Sequence, residues 1–118
     1  MSKLLIVDDE VAILEALTDI LSVEGYEVAT AANGAEGLEH VHKDPPDLIL
    51  LDLMMPVMDG QEMLRRLKED TALRSIPVVV MSAGRVSKSE LQGSHFLAKP
   101  FELDDLLDTV AAELNKAH

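Results

Sequence analysis

Apolar residues in this chain come in two kinds of run, and the two alternate. Unbroken stretches, LLIV at 4–7, LILL at 48–51 and PVVV at 77–80, are short and do not alternate with polar residues. They predict strands buried on both faces. A half-polar stretch at 27–30, following the turn glycine Gly25, predicts a weaker strand at a sheet edge, and HFLA at 95–98 completes a set of five with 3–7, 47–52 and 76–82. Between the strands the spacing turns helical. Val11, Leu14, Leu17 and Leu21 share one stripe; Met63, Leu64 and Leu67 share another; Leu103, Leu106, Leu107, Val110 and Leu114 form a third. Caps mark the helix starts: Asn33 with Glu36 three residues on, Asp59 with Glu62, and Ser87 with Glu90.

Strand followed by helix, five times over, predicts an α/β fold. Its strands should be parallel, joined by right-handed crossovers, with helices on both faces of the sheet. Sheets of this kind bind ligands beyond the carboxyl ends of their strands. The residues at those ends are Asp8 and Asp9 after the first strand, Asp52 at the end of the third, Ser82 at the end of the fourth, and Lys99 with Pro100 after the fifth. Three converging carboxylates repel one another unless a cation sits among them. A hard divalent ion suits such a site. Magnesium binds through one or two carboxylates and keeps positions open for a phosphoryl oxygen. Lys99 would add a second positive charge, and the Ser82 hydroxyl a hydrogen-bond donor. The combination points to phosphoryl transfer onto the Asp52 carboxylate.

Composition narrows the alternatives. At 118 residues and 47% hydrophobic, the chain has material for one core, so a single domain spanning 1–118 is expected. It has no cysteine, which excludes disulfides, thiolate nucleophiles and zinc–thiolate sites and fits a reducing compartment. A formal net charge of −12 opposes direct binding to a nucleic-acid backbone. No run reaches transmembrane length and no basic, apolar leader opens the chain, so a cytoplasmic protein without membrane attachment is expected. The methionine at position 1 favours a free-standing protein over an excised domain.

IVDDE at 6–10, LLDLMMPVMDG at 50–60, VVVMSA at 78–83 and FLAKPF at 96–101 resemble, in this order, the signatures of response-regulator receiver domains of two-component signal transduction. The resemblance spans essentially the whole chain. It implies a flavodoxin-like, doubly wound (βα)5 fold with sheet order 2-1-3-4-5, and phosphorylation of Asp52 by a sensor histidine kinase or a histidine phosphotransfer protein. Mg2+ is implied as the cofactor, with Mn2+ a possible substitute. By matching position, Asp9, Asp52 and the backbone carbonyl of Met54 would ligate the metal, with Asp8 a further ligand or one acting through water. Ser82 and Lys99 would contact the phosphoryl group. Ser82 and Phe96 would act as the switch, altering a face that binds an unidentified downstream protein. A cis Lys99–Pro100 bond is implied as well. Monomer or weak dimer is the expected state. The chain would assist its own phosphorylation and dephosphorylation without turning over an external substrate.

Plainer readings compete for several of these residues. An isolated acid before a helix, such as Asp9, is ordinarily a cap; Asp8 and the other strand ends shift the balance toward a metal ligand. Asp59 and Gly60 are explained by cap and turn chemistry, and Met55 and Met58 by gap-filling in the core. Phe96 is core by its strand position alone. His40 and His42, two apart on a helix, make a poor metal pair, and His95 and His118 carry no pattern. Residues 83–94 must supply two connections and a helix, which leaves room for only about one to two turns. That is shorter than receiver domains usually have. Two alternatives remain: a phosphorylation-independent interaction module on the same fold, and an enzyme on a similar sheet. The second lacks a glycine-rich nucleotide loop and has no acid two residues after Asp52.

Overall fold

The computed structural model describes residues 2–53, 55 and 58–117. In chain order the elements are β1 (Lys3–Val7), α1 (Val11–Val23), β2 (Glu27–Ala31), α2 (Gly34–Lys43), β3 (Leu48–Asp52), α3 (Gly60–Glu69), β4 (Val78–Ser82), α4 (Lys88–Leu91), β5 (His95–Ala98) and α5 (Leu103–Ala117). The strands form one parallel sheet in the order β2-β1-β3-β4-β5. This is the doubly wound α/β arrangement that the alternating pattern predicts. The fourth strand begins two residues later than expected, because Ile76 and Pro77 precede the ladder; Pro77 has no N–H to offer and joins only through its carbonyl, which accepts from the Ile49 N–H at 3.0 Å.

Both faces of the central strands are buried, and their side chains alternate between two cores. Leu5, Val7, Ile49, Leu51, Val78 and Val80 pack with Leu38 and Val41 of α2 and with Met63, Leu64 and Leu67 of α3. Leu4, Ile6, Leu48, Leu50, Val79 and Met81 pack on the other face with Leu17 and Leu21 of α1 and Leu106, Val110 and Leu114 of α5. Continuous apolar strand sequences follow directly from this two-sided burial. Two predicted stripe residues lie outside it: Val11 is 65% exposed and Leu103 48% exposed, each at the first residue of its helix, where the chain has not yet turned onto the sheet. Met55 is buried and Met58 packs against the first core, as gap-filling residues should.

Caps explain where the helices begin. The Asn33 side chain accepts from the Glu36 N–H and the Asp59 side chain from the Glu62 N–H, each at 2.9 Å. At α2 the reciprocal half of a capping box is missing, since Glu36 bonds the side-chain amide of Asn33 instead of its backbone. The short α4 has the complete box, with Glu90 returning to the Ser87 N–H at 3.2 Å. Its four residues match the length that 83–94 could hold. The Lys99–Pro100 bond is cis.

Candidate functional site: an acidic pocket at the strand ends

The carboxyl ends of β1, β3, β4 and β5 lie together, and backbone hydrogen bonds carry the order of the sheet one residue beyond the strands. The Asp8 N–H donates to Ala31 O at 3.1 Å, Leu53 N–H to Met81 O at 3.3 Å, and Lys99 N–H to Ser82 O at 2.9 Å. Register does the rest. Val7 is level with Leu51 and Asp52 with Met81, so Asp8 and Asp52 emerge side by side, with Ser82 on the neighbouring strand beside Ala98.

A close backbone approach shapes the turn after Asp52. Gly60 N–H donates to Leu53 O at 3.0 Å, and a Cβ at Gly60 would stand 2.3 Å from the Asp52 carbonyl oxygen and 2.6 Å from Leu53 Cα. Only glycine fits there without moving the strand end that carries Asp52. Gly60 thus has a positioning consequence that turn chemistry alone does not convey.

Asp8, Asp9 and Asp52 each offer one carboxylate oxygen, and these atoms lie within 4.8 Å of one another. Asp8 is fully buried and Asp52 nearly so, while Asp9 is exposed. Asp9 is not the cap of α1; Glu10 occupies that position and makes no side-chain cap bond. The capping role ordinarily expected of an acid before a helix is therefore absent. Asp8 is engaged at both oxygens, accepting from Glu10 N–H at 3.0 Å and from Lys99 Nζ at 2.9 Å. Lys99 Nζ also stands 3.8 Å from Asp52 Oδ2. One ammonium thus bridges two carboxylates from different strands, leaving a net negative cluster that attracts a cation. All-oxygen, carboxylate-rich donors of this kind fit a hard divalent ion and not a soft one.

Ser82 is buried at the same rim, where its Oγ accepts from Gly84 N–H at 3.1 Å. A cavity of about 360 Å³ opens over Asp52, Ser82 and Lys99. Phe96 is half-buried against the α2/α3 core together with Val86 and Leu91, so it touches the side of the sheet on which the 83–94 segment packs. Met54, whose carbonyl the family resemblance assigns to the metal, lies outside the described residues, as does His118.

Nothing in the sequence marked Gln61 or Arg85, and Glu10 and Glu90 stood out only within the IVDDE motif and a capping pattern, yet all four line the cavity. Glu90 does double duty, capping α4 through one carboxylate oxygen and accepting from Gln61 Nε2 at 2.5 Å through the other. No periodicity or spacing joins residues 29 apart. The capping pattern alone marked Glu90.

The family model described as the response regulator receiver domain matches residues 4–111. Among curated proteins, the chain is 41% identical over 114 residues to Sporulation initiation phosphotransferase F of Bacillus subtilis, covering 92% of this chain and 90% of that protein. It is 42% identical over 111 residues to Response regulator PleD of Caulobacter vibrioides, covering 90% of this chain. The chain spans 24% of PleD and 51% of Response regulator MprA of Mycobacterium leprae. Among solved structures, chemotaxis protein CheY4 of Vibrio cholerae matches with a TM-score of 0.89 and 33% identity, over 96% of this chain and 98% of its own. Among the described residues no helix is long and apolar enough to cross a membrane.

Proposed function

Because this chain belongs to the response regulator receiver domain family, and so to phosphorelay signalling, we propose that its residues 1–118 act as one receiver domain whose phosphoacceptor is Asp52. A phosphohistidine on a sensor histidine kinase or a histidine phosphotransfer protein is the donor. An Asp52 carboxylate oxygen attacks phosphorus, the P–N bond breaks, and its electron pair leaves with the imidazole. Asp52 becomes an acyl phosphate. The reading is supported chiefly by one arrangement: three carboxylates within 4.8 Å, and Lys99 Nζ at 2.9 Å from Asp8 and 3.8 Å from Asp52.

Each neighbouring residue has a part in this chemistry. Lys99 and the Ser82 hydroxyl contact the phosphoryl oxygens, where negative charge grows during transfer. Asp9 and Asp52, with Asp8 behind them, would hold Mg2+ or Mn2+, and the Met54 carbonyl is the remaining protein ligand in this assignment. An ion held there would supply positive charge against the phosphoryl oxygens. Asp8, with one oxygen committed to Lys99 and the other to the Glu10 N–H, suits an indirect role that keeps Lys99 in place.

Conversion of Asp52 to an acyl phosphate draws Ser82 toward it, and Phe96 repacks against Val86 and Leu91, so that the surface near α4 and β5 changes for a downstream protein. The donor must cover the mouth of the pocket. An apolar groove of about 420 Å³, lined by Ile13, Leu17, Pro100 and Phe101 and sharing Ala83 and Lys99 with the acidic pocket, suits that contact.

The test is intact mass after incubation with a small phosphodonor, with and without Mg2+, for the wild type and for Asp52→Asn. A magnesium-dependent gain of one phosphoryl group, lost in the variant, is expected. No gain with any donor would make the chain a phosphorylation-independent interaction module instead.

A further inference from the structure

The pocket over Asp52 is lined by two cations, and only one of them is engaged. Lys99 is held by Asp8 at 2.9 Å. Arg85, in the connection between β4 and α4, is exposed and makes no ion pair or side-chain hydrogen bond among the described residues, although Glu10 and Glu90 line the same cavity. Arg85 therefore brings an uncommitted guanidinium to the rim of the cavity that opens over Asp52. Arg85 follows Gly84, where a Cβ would meet nothing closer than Ser82 Oγ at 3.8 Å, so the backbone leading to Arg85 passes close to Ser82 without crowding it.

We propose that Arg85 is a phosphoryl-binding residue, whose guanidinium closes on the phosphoryl group as it is delivered to Asp52. The inference rests on the proposed function. Charge supports it. A divalent ion and Lys99 together balance Asp8, Asp9 and Asp52, but the acyl phosphate carries one more negative charge than the carboxylate it replaces. Arg85 is the remaining cation lining the pocket. Its planar fork of N–H donors matches two phosphoryl oxygens in a fixed bidentate geometry, which the point charge of an ammonium does not preset. The donor's P–N or P–O bond still breaks onto the leaving group; Arg85 neither gains nor loses a proton.

Loading rates of wild type, Arg85→Gln and Arg85→Lys, measured by intact mass with Mg2+, test this with two donors of different charge. One is acetyl phosphate, a dianion, and the other is phosphoramidate, in which a protonated nitrogen cancels one charge. Arg85→Gln should raise the half-saturating acetyl phosphate concentration about tenfold, the low end for a charge-assisted hydrogen bond, and should raise that of phosphoramidate as well, because both donors present the same phosphoryl oxygens. Arg85→Lys should recover part of the loss, and the melting temperatures of all three should agree, since Arg85 makes no ion pair or side-chain hydrogen bond among the described residues. Unchanged loading of Arg85→Gln with either donor overturns the assignment of Arg85 alone. A wild type that gains no phosphoryl group from either donor overturns the assignment together with the function beneath it.

Discussion

Asp52→Asn should raise the thermal stability of the protein in the absence of divalent ions, although it removes the residue on which the proposed function depends. Carboxylate oxygens of Asp8, Asp9 and Asp52 lie within 4.8 Å of one another. At an effective dielectric constant of about 20, each like-charge pair at that separation costs about 3.5 kcal/mol. Among the charge pairs, the attraction lost is to Lys99 Nζ at 3.8 Å, about 4.4 kcal/mol on the same scale. Asn keeps the shape of Asp and an acceptor oxygen, so packing at β3 is preserved. Solvent screens much of the repulsion from the exposed Asp9. These charge pairs taken by themselves balance to a gain of about 1–2 kcal/mol, or roughly 4–8 °C in melting temperature for a domain of this size. The assay is thermal denaturation followed by circular dichroism in a chelating buffer and again in Mg2+. In Mg2+ the wild type should gain more than the variant, by about 2.7 kcal/mol for an ion at a hundred times its dissociation constant. A variant that melts lower than wild type in chelator, with a wild type indifferent to Mg2+, would refute the reasoning that the three acids repel and share an ion.

The other consequences are spread over the fold. Gly60→Ala places a methyl group against the Asp52 carbonyl oxygen, and should destabilise by about 1–3 kcal/mol in urea titrations while also slowing phosphoryl loading, because the strand end must shift. Leu50→Ala, in the middle of the sheet and fully buried, should cost about 2–5 kcal/mol by the same titration with no specific effect on the pocket. Asp59→Ala removes the side-chain cap of α3 and should cost about 0.5–2 kcal/mol. Hydrogen bonds from Arg65 and then Arg66 hold the Glu62 carboxyl below its ordinary value of 4.5. A depressed carboxylate stabilises the fold above its unfolded value and loses that contribution as pH falls through the folded one, so the advantage of wild type over Glu62→Gln should be present near neutrality and shrink below about pH 4.5 in melting curves.

Legibility in the sequence followed the range of the interactions. Buried parallel strands announce themselves, because two-sided burial demands unbroken apolar residues such as those at 48–51. Caps are equally local, and Asn33, Asp59 and Ser87 each sit where a side-chain oxygen meets an N–H three residues on. The pocket was legible because parallel strands must all end on one edge, so Asp8, Asp52, Ser82 and Lys99 could be brought together without coordinates. What could not be read were contacts made by a loop with whatever lies across from it. Arg85 and Gln61 belong to no periodic pattern, and the bond from Gln61 to Glu90 depends on how α4 packs against the start of α3. The exposure of Val11 and Leu103 was hidden for a related reason: a helical stripe specifies direction but not where along the helix contact with the sheet begins. Asp9 shows the converse. An acid directly ahead of a helix reads as a cap, and the backbone instead assigns the cap position to Glu10, leaving Asp9 to face the pocket.

The most direct test of the central claim is to locate the modified side chain. After loading with acetyl phosphate and Mg2+, borohydride reduction converts an acyl phosphate to the corresponding alcohol, and peptide mass mapping then finds the converted residue. The account predicts conversion at Asp52 and at no other acid of the pocket. Conversion at Asp8, Asp9 or Glu10 instead, with Asp52 intact, would contradict it.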